Sequence, residues 1–242
     1  MRVVRAFVPL TLALVAAFAA GTPAAAESPG FATPEDAVTE YLAGVAAADA
    51  DRILATVAVD EVSTHFDFPA SVDRLQAMLL SSSLAPSDYP LFVELDRARR
   101  TDLILSQVTN LAYGLLTGIT DITAAIVPAD RASAQTFVDQ VDPSRLAGIR
   151  VVAIRPHKGA SDTRTLATWA KSAAIYGADE LTDRLVLITF DNELYGIGFE
   201  LVRYGDSWKV LEQDSPLSGV NSIGTAEPMT ANAYDDHTEG GN

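Results

Sequence analysis

Only three histidines occur in the chain and cysteine is absent, so the side chains able to act as nucleophile, proton carrier or metal ligand are few. His65 and Asp67 stand two apart in DEVSTHFDFP. On a strand that spacing turns both side chains to one face, as a metal site or an acid-base pair requires. No third ligand can be named from the sequence, so the pair is read as part of a half-exposed edge strand and no metal site is expected. His157 lies in RPHKGAS beside Arg155 and Lys158, whose positive charge would depress its proton affinity. His237, in YDDHTEGGN, falls in a polar tail. Ser218 in PLSGVNSIG lacks the preceding glycine of a nucleophile elbow. There is no P-loop, no H-E-x-x-H and no strand followed by G-x-G-x-x-G opening a helix. The absence of cysteine excludes disulfides, thiolate zinc sites, a cysteine nucleophile and a lipid-modified cysteine. No cofactor is implied, and no catalytic or ligand-binding residue can be assigned.

The elements that would position such groups are clearest in Arg184 to Gln213, RLVLITFDNELYGIGFELVRYGDSWKVLEQ. Strand-type runs separated by Asp191-Asn192 and Gly205-Asp206 predict a β-meander. Its register sets Val186, Ile188 and Phe190 on one face with Tyr195, Ile197 and Phe199, and pairs Arg203 with Trp208, Leu201 with Val210 and Phe199 with Glu212. The reverse face carries Gly196, Gly198 and Glu200 against Leu185 and Leu187. Paired glycines inside a strand mark a bend or a close approach, so the sheet is read as curved.

Upstream, Thr33-Pro34-Glu35-Asp36 is a helix start, and Ala37, Val38, Tyr41, Leu42 and Val45 recur at helical spacing. Asp49 or Asp51 then caps a second short helix with Ile53, Leu54 and Val57. The run PEDAVTEYLAGVAAADADRILATVA resembles the opening of the nuclear-transport-factor-2-like superfamily, which includes ketosteroid isomerase and SnoaL-type cyclases, and GDSWKV resembles that family's last strands. The resemblance implies an α+β fold, a curved antiparallel sheet wrapped around N-terminal helices as a cone. It also brings the notion of acid-base catalysis by an Asp base with an oxyanion hole of Tyr and protonated acid. Tyr41, Tyr113 and Asp67 are the residues such roles would draw on. The intervening strands do not carry the family's catalytic motif, and no role is transferred.

Between these ends, residues 60–69 read as a strand and Ser71 to Leu80 as a helix. Leu91 to Gly118 reads as a helical insertion with Gly118 as C-cap. A strand is expected from Asp121 to Val127, a helix from Arg131 to Val141, a strand from Ile149 to Ile154 and a helix from about Thr163 to Ile175. Residues 1–26 have the charged, apolar and small-residue regions of a signal peptide, with cleavage expected before Glu27, and the apolar run is short for a membrane span. Residues 27–33 read as a linker, 34–218 as a single domain and 219–242 as a disordered acidic tail.

The formal net charge of −15 disfavours nucleic acid and anionic lipid as partners. Abundant Ala and Arg suggest a bacterial source. The function expected is that of a secreted, non-catalytic binding or interaction module, holding a small apolar ligand in the cone or meeting a protein partner. The alternative is an isomerase- or SnoaL-type enzyme acting on a small apolar substrate. A buried carboxylate facing an aromatic-lined pocket favours the enzyme, and a cone filled with side chains favours the binding role. Leu185 and Leu187 need cover, and the helix of residues 163–175 is expected to supply it in a monomer, with a second copy as the other choice.

Overall fold

The computed structural model describes residues 30–78, 86–119, 121, 130–215 and 223–240. The expected signal peptide, Ser218 and nearly all of the strand expected at 121–127 lie outside the described residues. Helix α1 (Pro34–Ala46) begins where the Thr33 hydroxyl accepts from the Asp36 amide at 3.1 Å, and it buries the predicted stripe from Ala37 to Val45. Ala48 takes a left-handed φ of 52° to end it, and Asp49 caps α2 (Ala50–Leu54). Residues 30–33 are more than a linker. Phe31 bridges to Trp208, its carbonyl accepting from the Trp208 amide at 2.8 Å, and packs on the core.

Where a strand is expected at residues 60–69, the chain forms α3 (Val59–His65) and α4 (Phe68–Leu75). The alternation of Val62, Thr64, Phe66 and Phe68 is overridden by acids in the first turn of α3 and by Asp67, whose carboxylate accepts from the Ala70 amide at 2.9 Å to cap α4. Helix α5 (Pro90–Thr117) ends at Gly118 with φ 71°, as predicted. It is not a peripheral insertion, because Ile104, Leu111, Leu115 and Leu116 are part of the main core. Helix α6 (Arg131–Gln140) and a 3-10 turn (Pro143–Gly148) lead into β1 (Arg150–Arg155), then α7 (Thr163–Ile175).

Strands β2 (Glu180–Phe190), β3 (Glu193–Tyr204) and β4 (Ser207–Glu212) make the meander, with sheet order β1-β2-β3-β4 and every pairing antiparallel. The inner face is the predicted one, with Ile188 opposite Tyr195 and Val186 opposite Ile197, and Arg203 meets Trp208 and Leu201 meets Val210 as expected, but the register departs at one point. A bulge at Leu211 sets Glu212 opposite Glu200 instead of Phe199.

The fold is α+β, an open curved antiparallel sheet wrapped around the N-terminal helices. Its inner face, from Val186 and Ile188 to Leu201 and Val210, packs on α1, α2, α5 and the 3-10 turn. Trp208 belongs to this core, with 8% exposure and Arg203 over its ring at 5.8 Å. Trp208→Ala is expected to cost about 3 kcal/mol, the lower end for emptying an aromatic site, because the ring lies at the sheet's end. An unchanged urea midpoint would contradict that packing.

The outer face is covered in two halves. Helix α7 brings Trp169 and Ala173 onto Leu181, Val202 and Leu211. Leu185 and Leu187 are covered not by α7 but by the C-terminal segment expected to be disordered. There β5 (Glu227–Pro228) pairs with Tyr195 and Gly196, and α8 (Ala231–His237) buries Tyr234. The Tyr234 hydroxyl donates to the Leu185 carbonyl at 3.1 Å. A Cβ on Gly196 would lie 2.6 Å from the Met229 methyl, so the strand glycine marks a close approach, here by the chain's own tail. The tail's polar composition conceals one apolar stripe, and Tyr234 and Met229 meet a surface that only the folded sheet creates. Among the described residues, no helix is long and apolar enough to cross a membrane.

Candidate functional site

The inside of the cone is filled. Tyr41 lies against Phe199, ring centroids 5.3 Å apart, and donates its hydroxyl to Gln213 Oε1 at 2.9 Å. Burial pushes the Tyr41 phenol well above its ordinary range, so it is a hydrogen-bonding core residue. Tyr113 sits elsewhere, exposed and edge-on to Phe137, and Asp67 caps α4. The three residues that isomerase-like roles would draw on are not brought together. His65 and Asp67 do not share a face either, since His65 Nδ1 meets the Glu61 carbonyl at 2.8 Å within α3. The proton affinity of His157 is lowered, but by burial first and by His237 among its neighbours, rather than by Arg155 and Lys158.

The site that stands out lies behind the sheet. A cavity of about 430 Å³ is bounded by Phe66, by Ser71, Arg74 and Leu75 of α4, by Arg99 and Arg100 of α5, by Ser172, Ile175 and Tyr176 at the end of α7, and by Glu200 and Glu212 of the sheet. The end of α7 is locked to α4 by the Asp67 amide, which donates to the Ile175 carbonyl at 2.8 Å. Gly177 turns there with φ 65°, and a Cβ would come within 2.5 Å of His65 Cβ, so only glycine lets α3 and α7 meet this closely. Arg74 Nη1 donates to Ser172 Oγ at 2.5 Å across the cavity's edge.

One wall is acidic. Asp183 on β2 pairs with Glu200 on β3, and Glu200 with Glu212 on β4, a row of carboxyls across three strands. Like charges directly opposite one another destabilise a sheet, a repulsion that protonation or a bound cation relieves. Burial, then the charges of Glu212, Asp214 and Asp183, push the Glu200 carboxyl up to about 8, with Arg74 offsetting only part. Burial also raises Glu212, Asp214 and Asp183.

The other wall is basic. Asp96, 4% exposed, accepts from Arg99 Nη2 at 2.7 Å, from Arg100 Nε at 2.6 Å and from Ser63 Oγ at 2.9 Å. Burial alone would raise Asp96, but these arginines hold it below the usual carboxylate range. Arg100 lies over Phe66 and Tyr176 at 5.9 and 6.0 Å. Arg99 Nε is buried with no acceptor among the described residues. One carboxylate thus answers two guanidinium groups, and the wall keeps an excess of positive charge.

The raised Glu200 has a consequence for stability. An unfolded glutamate titrates near about 4.3, so between that value and about 8 the folded chain binds more protons, and stability falls as pH rises through the folded value. His157, whose proton affinity is depressed, acts in the opposite sense only below about 6.5, where an unfolded histidine titrates. From pH 6.5 to 9 the wild-type chain is therefore expected to lose about 1 to 2 kcal/mol, discounted for the partial exposure of Glu200. Glu200→Gln is expected to flatten this slope and be the more stable chain at pH 9. Urea midpoints at the two pH values check it, and equal slopes would contradict it.

A second recess, of about 260 Å³, lies among α1, α2, α5 and the 3-10 turn, lined mostly by apolar groups such as Val45, Ile53, Val108, Leu116 and Leu146. Tyr113 is its sole titratable group, so it offers burial with little to orient a ligand.

The fold and site together define an open α+β cone with a charged pocket on the outer face of its sheet. It is similar to the crystal structure of a cystatin-like protein from Ruminococcus gnavus ATCC 29149, with a TM-score of 0.55 and 20% identity over 81% of this chain and 45% of that one. At that identity the likeness concerns the fold alone, and the chain spans less than half the length of the protein it matches. No family model matches the sequence, and no curated protein matches it.

The hairpin register already contained part of the site, because continuing it from Asp191 back to Asp183 sets that residue opposite Glu200. The partner Glu212 was hidden by the bulge at Leu211, which an apolar sequence does not announce.

Proposed function

We propose that this chain is a secreted, non-catalytic binding module of the nuclear-transport-factor-2-like cone class, and that it takes a small molecule in the pocket behind β3 and β4. The observation that carries the reading is the cavity of about 430 Å³ between the Glu200 and Glu212 carboxyls and the Arg74, Arg99 and Arg100 guanidinium groups. Its size and its convergent polar groups suit a small ligand. The interior of the cone does not suit one, because Tyr41, Phe190, Phe199 and Leu201 already pack it. The net charge of −15 argues against a nucleic acid. With Leu185 and Leu187 under Tyr234, the chain needs no second copy to bury that face, and a monomer is the state we favour.

Ser172→Trp tests the reading by filling the pocket from α7. Ligand-observed NMR against a small-molecule library is expected to find a binder that competes for one site and is lost in Ser172→Trp with the melting curve kept. A library without binders, or binding indifferent to Ser172→Trp, overturns it.

One observation favours the enzyme as a second reading. Burial and the neighbouring carboxyls push Glu200 up to about 8 beside the ionisable Glu212, an arrangement general acid-base catalysis uses. Conversion of a bound ligand, abolished by Glu200→Gln with binding retained, would replace the first reading by this one.

A further inference from the structure

Resting on the pocket reading above, we infer that the ligand is a small zwitterion with an apolar body, its ammonium held by Glu200 and Glu212 and its carboxylate by Arg99 and Arg100. The two walls carry opposite charge, yet among the described residues no ion pair joins Arg74, Arg99 or Arg100 to Glu200 or Glu212. Opposite charges held apart across a cavity leave each wall incompletely paired, and a molecule bearing both charges completes both at once. A ligand with one charge satisfies one wall and leaves the other as it was.

The donors and acceptors have the right types. Arg99 Nε is a buried donor with no acceptor among the described residues, and Arg100 is fixed in place by Asp96 and the two rings. Guanidinium groups bind carboxylates through paired hydrogen bonds, and a rigid guanidinium loses little freedom in doing so. Across the cavity, Glu200 and Glu212 stand opposite each other on neighbouring strands, so one ammonium reaches both. Such a cation relieves the repulsion that the acid row otherwise stores, and it displaces the proton the row holds. Binding should therefore release a proton near neutral pH, with Asp183, Asp214, Arg74 and Arg164 as further charged groups around Glu200.

Between the charged walls, Phe66, Leu75, Ile175 and Tyr176 offer apolar surface. They suit an aliphatic or aromatic body placed between the two charged ends. This points to an amino acid or a very short peptide with an apolar side chain.

Calorimetric titration of the purified full chain tests it with four probes: L-phenylalanine, glycyl-L-phenylalanine, phenethylamine and 3-phenylpropionate. The better of the two zwitterions is expected to bind at least about tenfold more tightly than either singly charged probe, the worth of one charged hydrogen-bonded contact. Glu200→Gln should weaken the zwitterion and phenethylamine while leaving 3-phenylpropionate unchanged, and Arg99→Gln should do the reverse to the two singly charged probes. Heats measured in buffers of different ionisation enthalpy should report proton release. A singly charged probe binding as tightly as the zwitterions overturns the inference and leaves the pocket reading standing. So does failure of all four probes when the library still yields a binder lost in Ser172→Trp. Failure of the probes and of the library together overturns both.

Discussion

A chain ending at residue 222 is expected to lose its cooperative unfolding transition, or to show it at a far lower denaturant concentration. The missing part contains Tyr234, 1% exposed, together with Met229, and they are what lies over Leu185 and Leu187 on the outer face. Emptying a buried aromatic site costs about 3 to 5 kcal/mol, and each leucine returned to water costs about 1.5 to 3. The sum, roughly 6 to 11 kcal/mol, is comparable to the whole stability of a domain. The loss also reaches the inner side, because the Gly224 carbonyl accepts from Gln213 Nε2 and the Ile223 carbonyl from Asn110 Nδ2 at 2.7 Å. Tyr234→Phe, which removes only the hydroxyl that meets the Leu185 carbonyl, should cost about 1 kcal/mol. Circular dichroism through a urea series separates these cases. A truncated chain with the full-length midpoint would mean that the segment is an ornament. Any folded remnant should self-associate through the uncovered leucines, which sedimentation detects.

Asp96→Ala is expected to cost about 4 kcal/mol, within the range for removing one partner of a buried ion pair. The reason is what it leaves behind. Arg100 is 9% exposed and has Asp96 as its carboxylate, so its charge would stay out of water without compensation. Arg99, more open to solvent, loses the same partner. The effect has a pH signature: the Asp96 carboxyl is held below its unfolded value, so its contribution is present above about pH 4 and fades as pH falls through the folded value. Asp96→Ala should thus be closer to wild type at pH 2 to 3 than at pH 7. Adding Arg100→Met to Asp96→Ala should recover part of the loss, since the unpaired charge is then gone as well. Urea midpoints of the two single variants and the double variant give the coupling, and strict additivity would mean that the pair is not energetically linked.

How far the sequence reaches can be judged at particular residues. Thr33-Pro34, Asp49 and Gly118 start or stop their helices where their own chemistry says, because capping involves atoms a few residues apart. The two hairpins are equally local, and their register carried Trp208 to the core and Arg203 onto its ring. Residues 60–69 misled for the converse reason. Their alternation suits a strand, and Asp67 as a cap competes with it at the same range, so the docking of Val62 against the sheet decides between them.

What the sequence determined by itself, then, is the capped helices, the two hairpins and the inner face of the meander, since short-range sterics, capping bonds and a period of two need no knowledge of the rest of the chain. The tertiary structure alone decided the cover of the outer face and the pocket beneath α7. Tyr234 finds Leu185 across 49 residues, and the acid row exists only once three strands lie side by side with a bulge at Leu211. The displaced protonation of Glu200 depends in addition on α4, α5 and α7, which lie over the row and take its carboxyls out of water. A residue's type sets the charge it can carry, but the field it feels is made by neighbours that folding brings from elsewhere in the chain.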